Sequence, residues 1–184
     1  EEVGRQFFYE SGNDPVGMLN AARMVSVVLT LILIPAVYLF ARGLIGKWWA
    51  LLPAFLFAFF PTALASGHHA TTVAASTLAI FLAVTCFLRF LNKPSKKGLF
   101  LAAIAFGVAQ LTTFAALILI PFFLFILLIF YLTGVRRDLP MTEPDARWRR
   151  FGVRAFRYFR ALLVFFAVGL LVVVLTYLLF TWGY

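Results

Sequence analysis

The chain of 184 residues is 64% hydrophobic, and only 12% of its residues are charged. Soluble domains average about 45–50% apolar and about 25% charged residues, so the composition excludes a soluble enzyme and indicates a membrane protein. The net charge is +9, yet the Lys and Arg residues lie outside the apolar runs or at their ends. That placement is typical of membrane topology and excludes a nucleic-acid partner.

Three apolar runs in the first half of the chain predict membrane-spanning helices. They cover residues 24–42, 49–64 and 71–91, and a bilayer core needs about 20 helical residues, with shorter spans also known. Trp48 and Trp49 open the second run as interface anchors. The polar sequence Ser66–His69 predicts a short turn between the second and third spans.

The long charge-free stretch 98–132 predicts a hairpin of two spans. As one helix it would be about 52 Å long, far more than a bilayer core. Basic residues flank it at both ends, and the polar sequence Gln110–Thr113 offers a break in the middle. A last apolar run covers 161–182, so the sequence predicts six spans in an all-α, polytopic membrane helix bundle.

Basic residues concentrate on one predicted side of the membrane. Segments 42–48, 92–97 and 133–160 hold 13 of the 16 Lys and Arg, or 14 with Arg89. By the positive-inside rule this side is cytoplasmic, and both ends of the chain face outward. The predicted organisation is the end of an external loop at 1–23, a five-span membrane core at 24–132, a basic cytoplasmic loop at 133–160 and the last span at 161–184.

The basic loop contains a segment, 146–160, in which aromatic residues and Ala155 recur at helical spacing among arginines. Such a pattern is typical of a helix that lies in the headgroup plane and binds anionic lipid. The alternative interpretation is a basic topology signal that precedes the last span. Membrane lipids are partners of the chain under both interpretations.

Chemistry within the predicted spans is narrowly limited. No Asp or Glu occurs between Asp14 and Asp138, which excludes a proton relay, a carboxylate cation site or a pair of catalytic carboxylates built from these spans alone. Cys86 is the single cysteine and has no partner for an internal disulfide. Neighbouring His68 and His69 are a weak metal motif, so no metal site is predicted, and no cofactor can be named.

Two polar segments are predicted on the outward side. One contains His68, His69, Thr71 and Thr72 at the start of the third span, and the other is the hairpin tip with Thr113. Threonine before a helix can cap its N-terminus, and the same N-terminus attracts phosphate. The alternatives are therefore a capped turn with interfacial imidazoles or an anion site above an apolar, aromatic-rich bundle. The second would suit a ligand with a polar head and a long hydrocarbon tail.

The order of these elements resembles a known family. The sequence from ARM through FARGLIGKWWALLPAFLFAFFPTALASGHHATTVAAS to AQLTTFAALILIPFF is similar to the central membrane region of GT-C superfamily glycosyltransferases. The nearest resemblance is to bacterial relatives of protein O-mannosyltransferases and of the lipid A aminoarabinose transferase. FFYESGNDPVGMLNAAR resembles the end of the family's first external loop, and LLFTWGY the end of its seventh span. The chain would then be the middle third of a longer protein.

The resemblance includes departures at charged positions. His68 stands where the family usually has Arg, Val73 where it has Asp, and Thr113 where it has Lys. The neighbouring positions match the family pattern: Thr71, Thr72, Leu111 and Thr112. The family's principal acid would lie upstream of Glu1.

The resemblance implies the membrane core of a glycosyltransferase that takes a sugar from a polyprenyl-phosphate carrier on the outer face of a bacterial plasma membrane. His68, His69, Thr71, Thr72 and Thr113 would line the carrier's phosphate site. Partners would be the lipid-linked donor, the remaining parts of the same protein or other membrane subunits. A non-catalytic scaffold that keeps the fold is the alternative. A transporter is disfavoured because no charge within the spans marks a substrate path.

Overall fold

The computed structural model describes residues 14–138 and 144–182, with side chains except at 66–68, 134–138, 144–155 and 157. Every regular element in these ranges is a helix, as the composition predicts. The elements in chain order are α1 Pro15–Ile45, α2 Leu51–Ala58, α3 Pro61–His68, α4 Val73–Asn92, α5 Lys96–Thr112, the 3₁₀ helix η1 Phe114–Ile118, α6 Leu119–Asp138 and α7 Pro144–Thr181. The all-α membrane bundle is confirmed.

By length and composition, four helices of the described ranges can cross a membrane. They are Pro15–Ile45, Val73–Asn92, Phe114–Thr133 and Tyr158–Thr181. The predicted number of six spans is therefore wrong and becomes about four. Two of the predicted spans fall short: 49–64 is divided between α2 and α3, and α5 has 17 residues with two lysines in its first turn.

The second apolar run is interrupted because a proline lies inside it. Pro61 occupies the first turn of α3, and Phe60 before it is extended, with φ −70° and ψ 121°. Proline restricts the preceding residue to such a conformation. The two resulting helices have eight residues each, or about 12 Å. The α3 helix continues to His68, so the connection to α4 is residues 69–72 rather than the predicted turn at 66–69.

Helix α1 begins nine residues before the predicted first span. The Asp14 carboxylate accepts a hydrogen bond from the Val16 N–H at 3.1 Å, and Pro15 stands at the first helical position. This combination of an acidic N-cap and an N1 proline is a strong helix start. Residues 15–23, predicted as part of an external loop, are therefore helical, since capping rather than hydropathy sets the beginning.

The predicted hairpin break is confirmed at its position. α5 ends at Thr112, Thr113 is extended with φ −157°, and η1 follows before α6. The basic segment 146–160 and the last apolar run form one continuous helix, α7. The predicted helix in the basic loop is thus present, and its position in the headgroup plane stays a prediction.

The chain forms two compact units, Glu1–Leu78 (unit 1) and Ala79–Tyr184 (unit 2). Within unit 1, α1 packs against both short helices, α2 and α3. Among the side chains of unit 1 that the structure describes, the buried ones are small apart from two leucines: Ser26, Leu33, Ala41, Ala50, Ala54, Ala74 and Leu78.

Unit 2 is organised around phenylalanine rings. Phe87, Phe106, Phe123 and Phe165, from four different helices, are at most 4% exposed. The Phe87 and Phe123 rings stack with centroids 4.3 Å apart, and the Phe106 and Phe165 centroids are separated by 5.2 Å. Aromatic pairs at such distances stabilise a core beyond their buried area.

Two glycines allow α5 and α7 to approach closely. A Cβ on Gly107 would lie 2.8 Å from the Gly169 carbonyl oxygen, and a Cβ on Gly169 would lie 2.6 Å from Cδ1 of Phe106. Membrane helices associate through such close packing because lipid removes the hydrophobic driving force between them. The pair therefore fixes where the two helices meet.

Candidate functional site

The connection between α3 and α4, residues 69–72, contains most of the residues that the sequence predicts for an anion site. The Thr71 N–H donates to the His69 carbonyl oxygen at 2.9 Å, and the Ser76 N–H donates to the Thr72 carbonyl oxygen at 2.9 Å. Thr72 is thus the residue directly before α4, as the capping argument requires. His69, Thr71 and Thr72 are all exposed.

A hydroxyl of α1 holds this connection in unit 1. Ser26 is only 4% exposed, and its Oγ donates to the Thr71 carbonyl oxygen at 3.4 Å. One turn later, the Thr30 hydroxyl donates to the Ser26 carbonyl oxygen at 2.9 Å. The hydroxyls of Ser26 and Thr30 therefore lie on the face of α1 that is turned toward the 69–72 connection and toward the two cavities described next.

Two adjoining cavities lie within unit 1. The first, of about 200 Å³, is beside the start of α4, and it is lined by Thr30, Leu33, Phe57, Phe60, Thr62, Ala63, Val73, Ala74 and Thr77. The second, of about 250 Å³, is almost wholly apolar, and it is lined by Val27, Thr30, Leu31, Ile34, Phe57, Ala58, Ala63 and Leu64. They share Thr30, Phe57 and Ala63, and we name the two cavities together the unit 1 groove.

The polar groups of the unit 1 groove are threonine hydroxyls at the end beside α4. Thr30, Thr62 and Thr77 line that end, and the Thr77 hydroxyl donates to the Val73 carbonyl oxygen at 2.8 Å. The first N–H groups of an α-helix have no carbonyl partner within the helix, and the helix dipole adds a partial positive charge there. This end suits an anionic or hydroxylated group, and the other end suits a hydrocarbon chain.

The hairpin tip uses its polar side chains to close its own backbone. Gln110 donates from Nε2 to the Ala116 carbonyl oxygen at 2.8 Å. The Thr112 hydroxyl donates to the Ala109 carbonyl oxygen at 2.9 Å, and the Thr113 hydroxyl accepts from the Ala115 N–H at 3.3 Å. A hydroxyl that satisfies a neighbouring backbone group is the structural role that such residues commonly have.

The structure groups the predicted site residues in two places. His68 is the last residue of α3, and its side chain lies outside the described residues. His69, Thr71 and Thr72 follow it in unit 1, whereas Thr113 belongs to unit 2. A phosphate site that includes all five residues stays a prediction. Among the described residues, no group of three or more His, Cys, Asp and Glu is placed to hold a metal ion.

Sequence reasoning missed Ser26 and Thr30. Both lie inside an otherwise apolar run, four residues apart, and therefore on one face of α1. Polar side chains within a membrane span usually face the interior of the bundle, so this spacing could have revealed them. Val73, noted in the sequence for its departure from the family pattern, lines the groove itself.

The fold and the groove define a multi-pass, all-α membrane protein whose polar groups gather at the start of one span. Residues 17–141, from α1 into the segment after α6, match the dolichyl-phosphate-mannose-protein mannosyltransferase family. The chain belongs to this family, which is one of membrane glycosyltransferases of the GT-C type. No curated protein and no solved structure matches the chain.

Proposed function

We propose that the chain is the membrane core of a glycosyltransferase that takes a sugar from a polyprenyl-phosphate carrier on the outer face of a bacterial plasma membrane. The observation that carries this proposal is the family match over residues 17–141. The match includes the 69–72 connection and every residue that lines the unit 1 groove.

The shape of the unit 1 groove supports a carrier of this chemistry. Its polar end adjoins the first turn of α4, where a phosphate would meet backbone N–H groups and the positive end of the helix dipole. Its apolar end, with Leu31, Ile34 and Leu64, would accept the first isoprenoid units. His68, His69, Thr71 and Thr72 would surround the phosphate, and a part for Thr113 in the same site stays a prediction.

Catalysis on this proposal needs an acid that residues 15–137 do not contain. A carboxylate in the segment upstream of Glu1 would act as the base that deprotonates the acceptor. The chain would then contribute donor binding, and a preceding external loop would contribute proton transfer. On this view the present sequence is one part of a longer enzyme.

A binding measurement on the full-length protein tests the donor proposal. The purified protein in nanodiscs is titrated with a long-chain polyprenyl phosphate and, in parallel, with the corresponding polyprenol. We expect the phosphate to bind at least about tenfold more tightly, since each ten-fold step corresponds to about 1.4 kcal/mol of headgroup interaction. Equal affinity for the two lipids would show that no phosphate site exists.

A pair of matched variants assigns this binding to the unit 1 groove. Leu64 lines the groove and is 56% exposed, whereas Leu56 is 60% exposed and lines neither described cavity of unit 1. Leu64→Trp should fill the apolar end and weaken polyprenyl-phosphate binding, and Leu56→Trp should leave it unchanged. Equal effects of the two replacements would show that polyprenyl phosphate does not bind in the unit 1 groove.

Cysteine labelling tests the side of the membrane on which the turn between α4 and α5 lies. In a Cys86→Ser background, Ser95→Cys puts a thiol at the start of α5, on the side predicted to be cytoplasmic. We expect an impermeant maleimide added to intact cells not to react until the membrane is opened. Reaction from outside would show that the predicted topology is wrong, and the proposal that the donor binds on the outer face would be wrong with it.

A non-catalytic scaffold is the second candidate function. The observation that favours it is Val73, which lines the groove at the position where the family pattern has Asp. His68 and Thr113 replace the two family cations in the same way. A scaffold would show no sugar transfer in the full-length protein supplied with a polyprenyl-phosphate sugar and membrane acceptors, and an enzyme would.

A further inference from the structure

A second groove lies in unit 2, at the end of the bundle where basic residues gather. Its volume is about 460 Å³, and it is lined by Phe90, Pro94, Ser95, Lys96, Leu99, Phe100, Ala103, Arg160, Ala161, Val164 and Val168. We name it the basic-end groove. It lies along α5 and α7, the two helices that Gly107 and Gly169 bring together, and it belongs to no part of the site proposed above.

The lining of the basic-end groove divides into a charged end and an apolar wall. Lys96 and Arg160 are both exposed and supply its two cations. From there the wall continues along the helices with Leu99, Phe100 and Val164, one to two turns further into the bundle. An occupant must therefore be anionic at one end and hydrocarbon over the rest of its length.

A neighbouring cavity of about 460 Å³ extends the positive region around the turn between α4 and α5. Arg89, Lys93 and Ser95 are among its lining residues, and it shares Phe90 and Ser95 with the basic-end groove. Four cations thus surround one turn. Three of them, Arg89, Lys93 and Lys96, lie in residues 15–137, which contain no carboxylate to neutralise them, so the anion must come from outside this part of the chain.

We propose that the basic-end groove binds one anionic phospholipid of the leaflet on the basic side, with its phosphate between Lys96 and Arg160 and an acyl chain along α5 and α7. The apolar wall includes Val164 and Val168 of α7, a helix whose residues Tyr158–Thr181 can cross a membrane, where lipid is the surrounding solvent. Residues 15–137 of a second copy offer no carboxylate to these cations, so a lipid phosphate is the better-matched anion. Basic pockets between membrane helices on the cytoplasmic side recognise anionic headgroups through this chemistry.

Native mass spectrometry of the full-length protein measures the site directly. The protein in detergent is titrated with phosphatidylglycerol and, separately, with phosphatidylcholine of the same acyl chains. We expect one phosphatidylglycerol to bind at least about tenfold more tightly than phosphatidylcholine, because two cations near the headgroup contribute about fivefold each. Equal binding of the two lipids would overturn the proposal.

Matched charge variants decide whether phosphatidylglycerol binding depends on the basic-end groove or on diffuse surface charge. Lys96→Gln with Arg160→Gln should weaken phosphatidylglycerol binding about 25-fold. The control, Lys97→Gln with Lys47→Gln, removes two cations of the same predicted side that line neither cavity of unit 2, and it should change binding less than about twofold. Equal losses in the two double variants, or no loss in the first, would contradict the site.

A second pair tests the acyl-chain wall without any change of charge. Val164 lines the groove and is 43% exposed, and Val174 on the same helix is 46% exposed and lies outside the lining. Val164→Trp should reduce phosphatidylglycerol binding about fivefold, and Val174→Trp should not reduce it. The melting temperature of each variant establishes that it is folded. Unchanged binding in a folded Val164→Trp protein would show that the acyl chain does not lie in the groove.

Discussion

The two units of this protein are held together differently. Unit 2 buries four phenylalanine rings against one another, with centroid separations from 4.3 to 5.9 Å. Unit 1 buries mainly alanines, two leucines and one serine hydroxyl, and it keeps the unit 1 groove open beside a short polar connection. We infer that the interlocked rings make unit 2 the more rigid of the two units.

This difference follows from what can stabilise helices in lipid. Apolar side chains gain little by leaving lipid for a protein interior, so packing and interhelical hydrogen bonds decide the structure. Interlocked rings and close glycine contacts give unit 2 dense packing. In unit 1 the helices α2 and α3 are short and offer less length for helix packing than the helices of unit 2. A hydrogen bond from the Ser26 hydroxyl to the Thr71 carbonyl oxygen supports the 69–72 connection that follows them.

The largest expected loss of stability comes from removing a buried ring from the aromatic core of unit 2. Phe123 is 0% exposed, and Phe125 on the same helix is 60% exposed. Phe123→Ala should lower the free energy of unfolding by about 3 kcal/mol, because a buried Phe leaves a cavity that collapses only in part. Phe125→Ala should cost less than about 0.5 kcal/mol. Unfolding of the full-length protein by SDS in mixed micelles measures both, and similar values would disprove the core assignment.

A smaller loss is expected where α5 and α7 touch. Gly107→Ala places a methyl group 2.8 Å from both a backbone oxygen and Cβ of Val172, and such overpacking costs about 1–3 kcal/mol. A methyl group added to Gly43 in α1 would have no neighbouring atom within 4 Å, so Gly43→Ala should be neutral or slightly stabilising. The same SDS titration applies, and a stable Gly107→Ala protein would mean that the helices are not fixed at this point.

The predicted phosphate site is sharpened by restoring the cations of the family pattern. His68→Arg combined with Thr113→Lys should tighten polyprenyl-phosphate binding about tenfold, since each added permanent cation contributes about 1 kcal/mol or less. Thr113→Ala is the control for the lost hydrogen bond to Ala115. Unchanged affinity in the double variant of the intact protein would exclude a shared site.

The smallest expected effect concerns the hydroxyl that holds the 69–72 connection. Ser26→Ala removes the bond to the Thr71 carbonyl oxygen, and interhelical hydrogen bonds in membranes average about 0.6 kcal/mol. Hydrogen exchange of the Thr71 and Thr72 amides should become about threefold faster, while the aromatic core of unit 2 should be unaffected. Ser76→Ala, whose hydroxyl bonds within its own helix turn at Val73, should leave that exchange unchanged.

Much of the fold could be predicted from local signals. Asp14–Pro15 is a helix start, and the polar sequence before Phe114 is a helix end, because capping and polar breaks act through near neighbours. Hydropathy alone does not include the Asp14–Pro15 signal, and it places the first span nine residues after the observed start of α1. The candidate site could be predicted only as a list of polar residues, since their side chains meet through helices that are distant in sequence.

The sequence by itself determined the class of structure: helices in a membrane, with a polar break at Gln110–Thr113. Apolar composition and charge placement act over short stretches, so they can be interpreted without the fold. The tertiary structure alone decided which four of the 23 phenylalanines pack against one another in the core of unit 2. It also decided that Thr30 and Val73 face one groove. In runs that are apolar on every side, periodicity does not identify the buried face, and only the packing of neighbouring helices does.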